Sequence, residues 1–286
     1  MKLRGYIKIA VFLLVFFTLS RCFLGVEASA LLTLGVALYA WLGEYLALLK
    51  DGAIRMEHLR EYERTRLSCA LENLAEDVRR VSGGDISGLR MHVIPSDNIN
   101  ACAYGFRSIG VTRAMLNNCD DATLCAVLAH EVSHISCLDA VFYRMVFAAV
   151  TILIAGLICA SFASVSVIWI IFAVLCALGL CGGLFSMFLF QGFSKLAKGF
   201  FTLLQHLVLF VYQAVMACVS RQCEYRADRY SCELGYGSQL SYFLQRFVES
   251  QETDPKSLQE VIYASHPATH KRIMRIEQNC TEICTK

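Results

Sequence analysis

The sequence contains few prolines and few charged residues. Only 3 of its 286 residues are proline and 17% are charged, whereas soluble domains carry about 25% charged residues. Because proline interrupts helices, its scarcity favours long unbroken ones. The net charge of +2 provides no strongly basic surface, so nothing indicates a nucleic-acid partner. The remaining composition, 56% hydrophobic, is typical of a membrane protein.

A Cys-x-x-Cys pair is also missing, although the chain has 14 cysteines. This absence argues against a cysteine zinc site or a thioredoxin-like motif. Most cysteines are single residues inside apolar runs, and we interpret them as small buried side chains in a reducing compartment. Cys280 and Cys284 could pair or bind a metal, but their spacing alone is weak support.

Two apolar runs occupy the N-terminal part of the chain. Residues 6–19 contain Lys8 as their charged residue, and residues 28–49 contain only Glu44. Each run approaches the roughly 20 residues that a bilayer requires. No clear cleavage site follows the first run, so two spans joined by a short turn fit better than a cleaved signal peptide. Basic residues before and after the pair predict that both ends are cytoplasmic.

The next segment has the pattern of a water-exposed domain. Residues 51–90 are charged and carry an apolar stripe of helical period. We predict a strand at residues 89–94 and a strand or hairpin, turning near Gly105, at residues 99–111. Asp120 would be the N-cap of the helix that follows.

The clearest chemical signal is the motif His130-Glu131-Val132-Ser133-His134. Residues four apart share one helix face about one turn apart, so both imidazoles can reach one Zn²⁺. From a neighbouring angle, Glu131 can take a proton from a water molecule activated by the metal and pass it to a leaving amine. Such short patterns also occur by chance, but a capped helix with apolar flanks supports a zinc site.

A catalytic zinc ion needs a third protein ligand and an open position. Glu224 can supply that ligand, and Asp228, on the same helix face, can accept a hydrogen bond from a ligand histidine and fix its tautomer. By spacing alone, local pairing of Glu224, Arg226 and Asp228 on a solvated helix is the commoner arrangement. The residues by themselves therefore leave the third ligand open.

Several motifs, in order, resemble the HtpX family of membrane zinc peptidases, which is related to the CaaX prenyl-protease metallopeptidases. They are residues 100–105, the motif of residues 130–134, Asp139, residues 224–228, and His266-Pro267 with Arg272-Ile273. With the two N-terminal runs, the resemblance covers nearly the whole chain. It selects Glu224 as the third zinc ligand.

The resemblance implies roles for the other matched residues. Asn100 and Ala101 would lie on an edge strand that pairs with an extended substrate, and Asp139 would support the ligands from behind. His266 and Arg272 would approach the zinc and stabilise the oxyanion of the reaction. Without the resemblance, Asn100 is simply a turn-proximal residue, and His266 and Arg272 are a helix-start histidine and a surface arginine.

An apolar insert separates Asp139 from Glu224. It contains three segments, at residues 146–163, 165–189 and 200–218. A simple helical hairpin needs two segments. Because His134 and Glu224 must meet on one side of the membrane, we expect two crossings and one helix that does not cross. Residues 200–218 could form an amphipathic helix or run directly into the helix of Glu224.

We therefore predict a mainly α fold, with polytopic membrane helices and a zincin-type catalytic domain that contains a small β-sheet. A transmembrane hairpin would occupy residues 1–50, and the first part of the catalytic domain, with the zinc helix, residues 51–140. The insert, with two transmembrane helices and one further apolar helix, would occupy residues 141–219. The second part of the catalytic domain, with the third ligand, would occupy residues 220–286.

The predicted function is that of a zinc-dependent endopeptidase that hydrolyses membrane-associated proteins. The resemblance implies one Zn²⁺ per chain, a stress-response role in protein quality control, and a bacterial inner membrane with the catalytic domain on the cytoplasmic side. The expected partners are protein or peptide substrates and the lipid bilayer, with no nucleic acid. Two alternatives stay open: a CaaX-type processing peptidase, and a catalytically idle membrane scaffold that retains the metal.

Overall fold

The computed structural model describes residues 2–248 and 267–284 of the chain. The described helices are α1 Lys2–Arg21, α2 Val26–Lys50, α3 Glu61–Ser82, α4 Arg113–Asn118, α5 Asp121–Cys137, α6 Asp139–Ala177, α7 Leu184–Glu233, α8 Gly237–Phe243 and α9 Thr269–Cys284. The strands are β1 Ile54–Arg55, β2 Arg90–Ile94, β3 Ala101–Ala103 and β4 Ser108–Thr112, and a π-helical turn, Leu244–Val248, follows α8. The predicted mainly α fold with a small β-sheet is confirmed.

The chain forms two compact units. The first comprises Met1–Met145 and Met216–Lys286, and the second comprises Val146–Val215. The second unit consists of the apolar parts of α6 and α7 and the turn between them at residues 178–183. The three apolar segments predicted in the insert therefore lie on two helices, and residues 200–218 follow the second of the two arrangements expected for them. The segment at residues 165–189 is divided by this turn, and the segment at residues 200–218 continues as one helix into the residues that carry Glu224.

Within the described residues, four helices are long and apolar enough to cross a membrane. They are α1, counted from Leu3, with α2, α6 and α7. The 39 residues of α6 and the 50 residues of α7 exceed the length that a bilayer requires. At 1.5 Å per residue they are about 58 Å and about 75 Å long, against a hydrocarbon core of about 30 Å. Both helices can therefore cross a membrane and still carry polar residues beyond it.

The sheet has the strand order β1-β2-β4-β3, so β1 and β3 are its edges. Strands β2 and β4 are parallel, and the two outer pairs are antiparallel. Because side chains alternate along a strand, Met91 and Val93 share one face with Ile109 and Val111 of β4, and all four are at most 3% exposed. This face belongs to the hydrophobic core that also contains the buried leucines of α3 and α5.

Helix α5 is buried along most of its length. The carboxylate of Asp120 accepts a hydrogen bond from the Thr123 backbone N–H at 2.7 Å, which caps the helix as the sequence predicts. Every residue from 123 to 133 is buried. At the other end Leu138 adopts a left-handed conformation, with φ of 54°. This sharp corner allows α6 to begin at once, and it places Asp139 beside the last turn of α5.

Helix α1 approaches the end of α5 closely because it has a glycine at the contact. A Cβ atom at Gly5 would lie 3.0 Å from the Cys137 carbonyl carbon and oxygen. A side chain at this position would force the neighbouring backbone of Cys137 to shift by a few tenths of an ångström. Lys8 is three residues further along α1 and therefore faces the same contact.

We predict that the α1–α2 hairpin crosses the membrane and returns. Cys22 is exposed in the turn after α1, and Cys69 is exposed on α3. A membrane-impermeant maleimide should therefore label the two thiols from opposite sides of the membrane. Labelling of intact cells, before and after permeabilisation, can be read by peptide mass spectrometry, with Cys22→Ser as the control. Equal labelling of both thiols from one side would contradict the predicted hairpin topology.

Candidate metal centre

Three side chains converge at the centre of the first unit. His130 and His134 project from one face of α5, with their Nε2 atoms 3.1 Å apart. From α7, Glu224 places Oε2 at 3.4 Å from His130 Nε2 and Oε1 at 3.8 Å from His134 Nε2. One ligand atom from each of the three residues lies within 4.8 Å of the other two. Such a set could hold a metal ion with three protein ligands.

A carboxylate stands behind each histidine. His130 Nδ1 lies 3.0 Å from Oδ1 of Asp228, and His134 Nδ1 lies 2.9 Å from Oδ2 of Asp139. Such a carboxylate keeps the ring proton on Nδ1 and directs the lone pair of Nε2 toward the convergence point. The donor set of two imidazoles and one carboxylate, with this support, fits a zinc ion.

Arg272 of α9 links the carboxylates of α7. Its Nε and Nη2 atoms donate to the two oxygens of Asp228 at 2.9 Å and 2.7 Å, and Nη1 lies 3.2 Å from Glu224 Oε2. The residue is only 8% exposed. Because a two-pronged guanidinium contact fixes both the position and the angle of a carboxylate, Arg272 orients Asp228. His266, its predicted companion, lies outside the described residues.

Asp139 binds two cations that the sequence analysis did not connect with the site. Lys8 of α1 donates to Oδ1 at 2.9 Å, and Arg226 of α7 donates to Oδ2. Asp139 is 1% exposed, and a carboxylate buried to this degree requires such compensation. A lone lysine within a membrane-length apolar run is itself a signal of a functional contact, and it could have identified Lys8.

Glu131 lines the same cleft, next to the two histidines. It is 8% exposed, and burial raises the pKa of its carboxyl group, although the charges of His134 and His130 oppose this rise. A hydrogen bond from the backbone of Ala103 to the Glu131 carboxylate also opposes the rise in pKa. A raised pKa makes the carboxylate of Glu131 a stronger base toward the proton of a water molecule, which suits a general base.

His130 binds a proton strongly when no metal competes for its nitrogens. Burial alone would lower the pKa of His130, but the neighbouring carboxylates of Asp228 and Glu224 raise it to about 10. A metal ion that binds at Nε2 must therefore displace a proton.

The cleft beside these residues has a volume of about 750 Å³. Edge strand β3 forms one wall, and apolar residues of α8 and the π-helical turn form another, among them Leu240, Phe243 and Phe247. Along β3, the Asn100 carbonyl and the Tyr104 N–H bond to β4, at 2.9 Å and 2.8 Å. In an antiparallel pair the inward and outward residues alternate. The backbone groups of the intervening outward residues therefore face away from β4.

Asn100 and Ala101, predicted to bind substrate, both line this cleft. The Asn100 side-chain oxygen accepts a hydrogen bond from the Ala101 N–H at 2.9 Å. The Asn100 backbone N–H in turn donates to Thr112 Oγ1 at 3.0 Å. These contacts hold the start of β3 in place beside the metal centre.

Comparison with known proteins agrees with this geometry. The model of Peptidase family M48 matches residues 61–279, which is more than half of the chain. Among solved structures, the crystal structure of S. mikatae Ste24p is similar in fold, with a TM-score of 0.51 and 19% sequence identity. The match covers 86% of this chain but 56% of that protein, so the chain spans little more than half of its length. No curated protein sequence matches significantly. The chain is a multi-pass membrane protein, and it belongs to peptidase family M48, whose members are zinc metallopeptidases.

Proposed function

We propose that the chain is a zinc-dependent endopeptidase that cleaves extended segments of membrane-associated proteins. The observation that carries this proposal is the convergence of His130, His134 and Glu224 beside Glu131, in a cleft bordered by an edge strand. A metal site of purely structural use would need neither the buried carboxyl group nor the open cleft.

In the proposed reaction, His130, His134 and Glu224 would hold the zinc ion, and Asp228 and Asp139 would keep the two imidazoles in the binding tautomer. When bound, a zinc ion supplies Lewis acidity that polarises the scissile carbonyl and makes water more acidic. Glu131 accepts the proton of the attacking water and then delivers it to the leaving amine.

Strand β3 supports the choice of an extended substrate. A peptide can add to the free edge of a sheet through main-chain hydrogen bonds, whereas a folded segment cannot. The apolar wall contributed by Leu240, Phe243 and Phe247 offers contacts for side chains of such a peptide. Unfolded stretches of membrane proteins meet both conditions, which supports a role in quality control.

The proposed setting is a bacterial inner membrane with the catalytic residues on its cytoplasmic side. Lys2 and Arg4 lie in the first turn of α1, Lys50 is the last residue of α2, and Arg55 follows in β1. An excess of basic residues at both ends of such a hairpin favours the cytoplasmic side.

Arg272 is proposed as a positioning residue. Its contacts run to Asp228 and Glu224, so its charge reaches the reaction through these carboxylates. Contact of Arg272 or His266 with the oxyanion of the reaction stays a prediction.

The first prediction concerns the proposed base. Glu131→Gln should lower turnover of an unfolded peptide by about 10² to 10⁴, the range typical of general acid–base catalysis. Zinc content should be unchanged, since the three ligands remain. Turnover of a quenched fluorescent peptide and metal analysis by mass spectrometry provide the readouts, with the exposed Glu76→Gln as control. Normal turnover by zinc-loaded Glu131→Gln protein would exclude this residue as the base. A prenylated peptide is tested in parallel. Preferential cleavage of that peptide would favour CaaX-type processing over quality control.

The second prediction concerns proton release on zinc binding. With a pKa of about 10, His130 is protonated at pH 7 in the metal-free protein, so zinc affinity should rise as the pH rises toward that value. Titration calorimetry in buffers of different ionisation enthalpy should show about one proton released from His130 per zinc. Glu131→Gln is the matched control, because it removes any proton that Glu131 releases. A heat independent of the buffer in both proteins would contradict the expectation.

The third prediction concerns Lys8. Lys8→Met leaves the buried Asp139 with one cation fewer, so His134 should be held less firmly. Zinc affinity should fall by roughly 10- to 100-fold, as it does when groups behind metal ligands are removed. Competition with a chelator measures this, and Arg4→Met, at an exposed position of the same helix, is the control. An affinity equal to that of the control would show that Lys8 does not support the metal centre.

A further inference from the structure

A second cavity of the first unit, of about 760 Å³, lies between the sheet and the α1–α2 hairpin. The helices contribute aromatic and apolar residues to it, among them Tyr6, Trp41, Tyr45, Leu48 and Leu49. The strands and the turn before β4 contribute Arg55, Arg90, Arg107 and His92. None of these residues belongs to the metal centre, and the proposed peptidase reaction does not use them.

The strand register brings the basic residues to one face. Arg55 of β1 pairs directly with His92 of β2, and Arg90 lies two residues before His92 on the same side of that strand. The Arg90 N–H donates to the carbonyl of Arg107 at 2.7 Å, which places the third arginine beside the second. This face is opposite to the one that carries Met91 into the core.

The three arginines are exposed, and within the described residues no carboxylate forms an ion pair with them. The acidic residue of the wall is Glu44, and its Oε2 already accepts a hydrogen bond from the Phe106 N–H at 2.6 Å. The Glu44 carboxylate also lies beside the guanidinium of Arg144. The cavity therefore carries an uncompensated positive charge.

His92 adds a buried polar group to the cavity wall. It is 5% exposed, and in the described part of the chain its Nδ1 atom has no hydrogen-bond partner. A buried polar atom without a partner is unfavourable unless a ligand or water completes its hydrogen bonding. Together with the arginines, it indicates a site for an anion.

The residues that α1 and α2 contribute to the cavity indicate that the anion belongs to a lipid. Tyr6, Trp41 and Tyr45 are 53%, 61% and 57% exposed, and Trp41 and Tyr45 precede the end of α2 at Lys50. Half-exposed aromatic residues near the end of a membrane span are typical of the headgroup region. Leu48 and Leu49 provide an apolar surface directly beside the basic one. A ligand with an anionic head and an apolar body matches this combination better than a free anion does.

We propose that this cavity binds the headgroup of an anionic phospholipid from the adjoining leaflet. Arg55, Arg90 and Arg107 contact the phosphate, since the guanidinium fork matches phosphate oxygens. The acyl chains lie along the leucines of α2. The bound lipid then joins the membrane hairpin to the sheet, and this binding does not depend on peptide hydrolysis.

Native mass spectrometry of the detergent-purified full chain tests the proposal. The probes are dioctanoyl phosphatidylglycerol, dioctanoyl phosphatidylcholine and inorganic phosphate. Phosphatidylglycerol should bind saturably and at least about tenfold more tightly than phosphatidylcholine, because its net negative headgroup is attracted by several arginines. Equal binding of the two lipids would overturn the proposal. Displacement of phosphatidylglycerol by an equal concentration of inorganic phosphate would also overturn it, since the site would then be one for free phosphate.

Variants locate the binding. R55Q/R90Q/R107Q should weaken phosphatidylglycerol binding by at least about tenfold. R64Q/R79Q/R80Q removes the same charge from exposed positions of α3 and should leave binding unchanged. R55K/R90K/R107K keeps the charge and should bind phosphatidylglycerol with intermediate affinity. This partial recovery would show that the glutamine variant loses binding through the site and not through misfolding. Unchanged binding by the glutamine variant would refute the proposed site, as would equal losses in both glutamine variants.

Discussion

The burial of charge around the two imidazoles is the constraint on which the metal centre depends. Asp139 and Asp228 are each 1% exposed, and a buried carboxylate without a partner costs several kcal/mol. Each is matched by cations from a different part of the chain, Asp139 by Lys8 and Asp228 by Arg272. The ion pairs therefore connect helices α1, α6, α7 and α9 to the zinc helix. They neutralise the buried charges and at the same time position the metal ligands.

Helix α5 makes this arrangement possible because it is enclosed. Its ligands project from a helix that is buried on all sides from residue 123 to residue 133, so the helix itself has little freedom to shift. The close approach at Gly5 brings a membrane helix to its end. The same membrane helix is linked to the metal centre by the Lys8–Asp139 and Asp139–His134 contacts.

The small sheet separates two different uses of its edges. Strand β3 lines the cleft of the metal centre, where we propose that an extended peptide adds to the edge of the sheet. At the opposite edge, β1 and β2 direct Arg55, Arg90 and His92 toward the membrane hairpin. The same four strands thus support both the proposed peptide site and the proposed lipid site. The other face of the sheet packs against the hydrophobic core.

The sequence by itself determined the features that depend on short stretches of chain. The spacing of His130 and His134, the cap at Asp120 and the apolar hairpin follow from local periodicity and local hydrogen bonds, which neighbouring residues specify. Tertiary structure decided the rest. Lys8 contacts Asp139 across 131 positions, and Arg272 contacts Asp228 across 44. Such pairs form only when distant helices pack, because the free energy that favours them comes from burying both partners together. The residues near each partner in the sequence do not specify this pairing.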